Sequence, residues 1–151
     1  MELYEAVRHH LEAGVPFARY VGISIERIAD GQAEAALDQR AETSNHIATQ
    51  HAGALYTLGE AASGAAMTGA FAEQLGTLLP VAAEAKIAYV RPATGRITAR
   101  ASTNAPTDVL RAQLDDVGKV RFAVDVSLFN EADEPVATMT VDWSVRRRKN
   151  G

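Results

Sequence analysis

Residues 51–70 read HAGALYTLGEAASGAAMTGA, small and apolar side chains running for more than five helical turns around one carboxylate, Glu60. Twelve of the nineteen residues in Ala52–Ala70 are Ala, Gly or Ser, and the apolar character favours no single side. Such a helix is expected to be enclosed rather than to rest on a surface. It should run from about His51 to Leu75 and close at Gly76. Gly53, Gly59, Gly64 and Gly69 each cost about 1 kcal/mol against alanine in a helix interior, so they mark places where a curved sheet, a partner helix or a ligand comes close. Burying Glu60 ionised and alone would be very costly. The acid must be paired, with Arg91 or Arg100 as candidates, or raised in pKa, or held at a cleft where it can do chemistry.

On either side of this helix the period changes. Glu2 to Ala13 set Leu3, Val7 and Leu11 at four-residue spacing, a short amphipathic helix stopped by Gly14 and Pro16. Tyr20 to Asp38 read as a hairpin, alternating through VGISIERI, turning at ADG and extending again through QAEAALD. Four strands follow the long helix: Val81 to Arg91, Gly95 to Asn104, Lys119 to Asn130 and Pro135 to Arg146, separated by the turn signals RPATG, NAPTD and NEADEP. In KVRFAVDVSLF, Val120, Phe122, Val124, Val126 and Leu128 share one face while Arg121, Asp125 and Ser127 share the other. One face is buried and one is wet. Without regular strand and helix alternation, the economical fold is α+β, an antiparallel sheet packed on a long central helix.

The chain has 151 residues, 47% hydrophobic and 23% charged, which fits one globular domain spanning residues 1–151. Its net charge of -4 leaves no broad basic face for nucleic acid. With no cysteine, disulfides and thiolate metal sites are excluded. The opening MELYEAVRHHLEAG lacks the basic start and unbroken apolar segment of an export signal. The stretch Ile47 to Ala72 carries Gln50, His51 and Glu60, which insertion into a bilayer penalises. A cytoplasmic location without membrane attachment is the expectation. His9, His10 and His46 have no further ligand partners at metal-binding spacing, so no metal is expected.

Asn45, His51, Gly53 and Glu60 form the pattern N-x5-H-x-G-x6-E. The start of a helix offers unpaired backbone amides and the positive end of its dipole, suited to a carbonyl oxygen gaining negative charge. Glu60 is suited to act as general base on water or as nucleophile. About two turns of helix separate the helix start from Glu60, on the order of 10 Å, so one active site needs two helices. A homodimer follows, with the amides and Asn45 of one chain facing the acid of the other.

These residues resemble the hotdog fold, and within it the phenylacetic-acid-degradation (PaaI-like) type of acyl-CoA thioesterase. The resemblance covers essentially the whole chain. It rests on Asn45, on HAG where the family has His-Gly-Gly, on an acid nine positions after the histidine, and on KIAYVRPATGRITARA as strand, turn and strand. It implies that Asn45 orients the carbonyl or water, that the amides of Ala52 and Gly53 polarise the carbonyl, and that Glu60 is base or nucleophile. Ala52 replaces the family's first glycine, and Glu60 stands where Asp is common. The resemblance also implies a polar helper across the cleft, for which Thr77 is the candidate, and gives His51 a supporting role. Coenzyme A would belong to the substrate, with no separate cofactor, and dimers of this kind can pair into tetramers.

Further substrate-binding candidates follow from side-chain chemistry. Tyr56, Met67 and Phe71 fall on the Glu60 side by helical spacing and are candidates for an acyl tunnel. Arg91, Arg96 and the run from Arg146 to Lys149 carry the guanidinium groups that engage phosphates such as those of coenzyme A. Two other readings stay open: an acyl-CoA or lipid-binding module without chemistry, and a hydratase or dehydratase acting on enoyl or hydroxyacyl thioesters.

Overall fold

Gly59 and Gly69 set how closely the sheet lies on the long helix. A methyl at position 59 would press into Met139 Sδ, and one at position 69 would overlap the backbone carbonyl of Ala29. In the computed structural model, which describes residues 2–149, the helix is α3 (Ala52–Ala70), and the element the glycines admit is the sheet.

The sheet has six antiparallel strands: β1 (Ser24–Ala29), β2 (Gln32–Leu37), β3 (Leu78–Tyr89), β4 (Ile97–Thr103), β5 (Lys119–Phe129) and β6 (Pro135–Arg147). Their order across the sheet is β1-β2-β4-β5-β6-β3. On β5 every second residue from Val120 to Leu128 is buried, as its alternation requires. Pairs such as Val124 with Val141 and Val126 with Met139 carry that buried face onto β6. Together with Leu58, Ala62, Ala66 and Ala70 of α3 they form one apolar core. Antiparallel strands wrapped on a central helix, with a short N-terminal helix, are the architecture expected from the sequence.

Four boundaries differ from that expectation. The long helix ends at Ala70, because Phe71 leaves helical geometry (φ -121°, ψ 27°) and buries its ring against Phe122, centroids 6.0 Å apart. A 3-10 segment, Ala72–Thr77, then leads to β3, which starts at Leu78 rather than Val81. Tyr20 and Val21 belong not to the hairpin but to a helix, α2 (Pro16–Val21), opened by Pro16 and ended by Gly22 at φ +99°. After NAPTD the chain forms another helix, α4 (Thr107–Val117), whose Leu110 and Leu114 enter the core at helical spacing.

The long helix is also less enclosed than its composition suggests. The sheet covers one side, and α1 (Glu2–Gly14) with α2 packs against another part. One stripe stays open: Gly53 and Tyr56 are exposed, and Thr57, Glu60, Ala61 and Gly64 are half-buried. Strand β3 forms a sheet edge bonded only to β6, with Val81 and Tyr89 exposed on it. No helix among the described residues is long and apolar enough to cross a membrane.

Candidate active site

The approach to α3 is built by Asn45. Its Oδ1 accepts from the backbone N–H groups of Ile47 (3.1 Å) and Thr49 (3.0 Å), and its Nδ2 donates to Thr49 Oγ1 at 2.7 Å. This turn admits Ala48 at φ +61°. Among the described residues only one Nδ2 hydrogen is used, so a second donor remains. Gln50, 2% exposed, donates to the carbonyls of Leu37 and Gly95, and its Oε1 has no partner among the described residues. The N–H groups of Gln50 and His51 donate to Ala93 O and Thr43 O, both at 2.7 Å. The helix start is thus tied to two neighbouring segments.

His51 caps the helix. Its Nδ1 accepts from Gly53 N–H at 2.8 Å, which requires the neutral ring with its proton on Nε2. The Gly53 amide is therefore occupied, whereas the exposed Ala52 amide has no acceptor among the described residues. Ala52 O accepts from the Tyr89 hydroxyl at 2.9 Å. Burial, and secondarily the neighbouring Tyr56, push the Tyr89 phenol up.

Two turns further on, Glu60 faces a cavity of about 230 Å³ lined largely by apolar groups. No guanidinium or ammonium pairs with it among the described residues: Arg91 is held by Glu134, and Arg100 by Glu34 and Asp133. No hydrogen bond reaches its carboxylate there either. Burial alone pushes the Glu60 carboxyl up from its ordinary value. Its backbone carbonyl accepts from Ser63 Oγ at 2.7 Å, and Ser63 in turn accepts from Trp143 Nε1.

The other expected site residues are distributed unevenly. Met67 lines the Glu60 cavity. Tyr56 lies one turn before Glu60 on the open stripe, outside the cavity wall. Phe71 belongs to the core instead of a tunnel, because its ring closes the end of α3 against Phe122. Thr77 ends the 3-10 segment, its hydroxyl donating to Gln74 O at 2.8 Å, and does not reach the cavity. Arg91 and Arg96 are neutralised on the surface, Arg96 by Asp38 and Glu26, and neither lines the cavity. Of the terminal basic run, Arg147 pairs with Asp115 and Arg148 donates to Leu78 O.

Residues not expected at the site also line the cavity, among them Leu11 and Glu12 on α1, Ala18 and Arg19 on α2 and Trp143 on β6. Trp143 is the chain's one tryptophan and Ser63 the one hydroxyl in EAASGAA. Both were available as signals of a buried polar contact.

Known proteins carry this architecture. A family model described as "Domain of unknown function (DUF4442)" matches residues 4–145. None of the curated proteins matches the chain. A solved Pseudomonas aeruginosa protein, of unknown function and titled a probable thioesterase, is 26% identical at a TM-score of 0.81, with 95% of each chain covered. The E. coli PaaI protein from the phenylacetic acid degradation operon is 20% identical at a TM-score of 0.76, covering 99% of this chain and 96% of its own. An Asn-to-Asp variant of the phenylacetic acid degradation protein PaaI from Thermus thermophilus is 25% identical at a TM-score of 0.68, covering 87% and 99%.

Proposed function

Because the chain belongs to the DUF4442 family and has the hotdog fold of PaaI-like thioesterases, we propose that it is an acyl-CoA thioesterase, cleaving an acyl thioester into free acid and coenzyme A. The observation that carries this reading is Glu60: an unpaired carboxylate, raised in pKa by burial, at the edge of an apolar cavity. A structural acid is held by a cationic partner, whereas Glu60 forms no ion pair among the described residues, although Arg19 lines the same cavity. Glu60 is left to a substrate.

The unpaired Ala52 amide at the positive end of α3 is the donor for the thioester carbonyl oxygen, with the spare Nδ2 hydrogen of Asn45, on the loop seven residues before it, as the second donor. The Gly53 amide joins only when His51 leaves the cap. The helix rise puts Glu60 on the order of 10 Å along the axis from these groups, so Glu60 of the partner subunit serves them. Acting as base, that carboxylate takes a proton from water, and the water oxygen attacks the carbonyl carbon. The oxyanion then collapses, the C–S bond breaks, and the proton passes to the departing thiolate. Acting as nucleophile, the carboxylate would instead form an anhydride that water opens. In ¹⁸O-water under single turnover, label in Glu60 would establish the anhydride, because only water attacking the Glu60 carbonyl of that intermediate puts it there, whereas the base route labels the product acid alone. Coenzyme A is the leaving group, and no cofactor enters.

The dimer is part of the proposal. The open stripe on α3 and the long apolar edge β3, with Val81 54% and Tyr89 47% exposed, both favour burial against a second copy.

Glu60→Gln tests the chemistry. Thiol release across short, medium, long and aromatic acyl-CoAs should fall by at least about a hundredfold, as expected for loss of a general base, with the mass in solution unchanged. Near-native turnover would remove Glu60 from the mechanism. Saturable binding without thiol release by the native protein would favour a binding module.

A further inference from the structure

Leu37 of β2 pairs with Ile97 of β4, and both side chains are fully buried. Gln39 and Gly95 stand two residues beyond this last pair, where the sheet ends. Gly95 is fixed there. Its φ of +74° favours glycine, a methyl on it would press into Glu131 Oε1, and the same oxygen accepts from Arg96 N–H at 3.1 Å.

Gln39 joins that anchor to the turn that carries Asn45. Its Oε1 accepts from Gly95 N–H at 2.7 Å, and its Nε2 donates to Ser44 Oγ and to Ala48 O, both at 3.0 Å. Both amide hydrogens and the amide oxygen are thus in use. A carboxylate has no hydrogen to give in these positions, and an ammonium has no lone pair to offer Gly95.

The turn itself is tied at its base and open at its tip. The N–H groups of Gln50 and His51 bind the base to Ala93 O and Thr43 O. His46, Ile47 and Ala48 are exposed, and Ala48 O accepts from no donor but Gln39 among the described residues. Asn45 Oδ1 takes the N–H groups of Ile47 and Thr49 from this same turn, so the direction of its spare Nδ2 hydrogen follows the turn. Releasing Ala48 O lets the Asn45 amide move with the tip, and a misplacement of about 1 Å can cost a reaction about a hundredfold.

We propose that Gln39 is a positioning residue, which fixes the Asn45 turn against the end of the sheet so that the spare Nδ2 hydrogen of Asn45 meets the thioester carbonyl oxygen. This rests on the thioesterase reading above. Gln39 acts through Asn45 and not on the substrate.

The test is a double-mutant cycle. Gln39→Met keeps the length of the side chain and removes all three bonds, while Gln39→Glu keeps the bond from Gly95 N–H but sets a carboxylate against Ala48 O. Each is measured alone and together with Asn45→Asp, which retains the oxygen that accepts from Ile47 and Thr49 and removes the donor. On the acyl-CoA that the native protein hydrolyses fastest, each Gln39 variant alone should lower kcat about tenfold or more, with KM changed by less than about threefold. In the Asn45→Asp background the further loss should be no more than about twofold, whereas a purely structural fault would cost the same factor in both backgrounds.

Unchanged kcat in both variants, or equal losses with and without Asn45→Asp, would overturn the proposal while leaving the thioesterase reading intact. Should the native protein release thiol from none of the acyl-CoAs, the thioesterase reading fails, and the hold of Gln39 on Asn45 is judged by amide hydrogen exchange. Faster exchange at Ile47 and Thr49 in Gln39→Met, with Leu58 in the middle of α3 unchanged, supports it. Unchanged exchange at both, or an equal rise at Leu58, overturns it.

Discussion

Trp143 Nε1 donates to Ser63 Oγ at 3.1 Å, and both residues are buried. Ser63 passes its own hydrogen to the backbone carbonyl of Glu60 at 2.7 Å. Strand β6 is therefore bonded to the same helical turn that carries the acid. Ser63→Ala leaves the indole N–H buried without an acceptor, a loss of about 1–3 kcal/mol. The denaturation midpoint in urea should fall accordingly. Trp143→Phe removes the donor but leaves the Ser63 bond to Glu60, and Ser63→Ala should cost much less in that background than in the native one.

Glu60 gives a pH prediction of definite sign. Its folded pKa lies above its unfolded value because of burial, so the folded state binds the proton more tightly. This contribution makes stability fall as pH rises from the unfolded toward the folded pKa, and at neutral pH the ionised acid is a cost. Glu60→Gln should raise Tm at pH 7, and the gain should shrink as the pH drops below the carboxylate range. For the proposed hydrolysis by the native protein, the acid limb of kcat/KM should lie above the usual glutamate range. Equal or lower Tm for the variant at pH 7 would contradict the burial argument.

The same acid shows how far the sequence could be read. Glu60 stood out because an isolated charge amid Ala and Gly has few outcomes, and the strands of the last seventy residues stood out because Val120 to Leu128 alternate without interruption. Residues 105–118 were less legible, since NAPTD is turn chemistry while Leu110 and Leu114 offer only one short stripe. The cavity wall was not legible at all. Leu11, Ala18 and Trp143 meet only through tertiary packing, and no local period records that. Arg91 and Arg96 had the right chemistry for phosphate, but carboxylates distant in sequence, invisible to spacing, already pair with them.

The 2.8 Å bond from Gly53 N–H to Nδ1 makes His51 a helix cap. His51→Ala should cost about 1 kcal/mol, the usual value of a lost cap, and His51→Asn should recover most of it. Amide hydrogen exchange at the first turn of α3 reads the effect directly. Unchanged protection in the alanine variant would show that the cap contributes little.

Val81, 54% exposed on the β3 edge, reports on assembly. Val81→Lys places a charge on the edge that the second copy of the proposed dimer would cover, so light scattering should show the mass of that proposed dimer reduced toward that of one chain. Thioester hydrolysis should fall with it, because each proposed site draws on two helices. A variant that is monomeric and fully active would refute the shared site.

The glycines of α3 separate close packing from mere small size. At position 69 a methyl would overlap Ala29 O, a backbone atom that cannot rotate away, whereas at position 64 it would meet the Trp143 ring at 3.3 Å. Alanine recovers about 1 kcal/mol of helix propensity at either site, and overpacking removes typically 1–3 kcal/mol or more. Gly69→Ala should therefore be strongly destabilising and Gly64→Ala close to neutral. Gly76, with nothing within 4 Å of an added methyl, is the control, and alanine there should leave the midpoint unchanged or raise it slightly. Equal midpoints for the variants at positions 69 and 76 would mean that β1 can retreat from the helix, and that the glycine there does not set their approach.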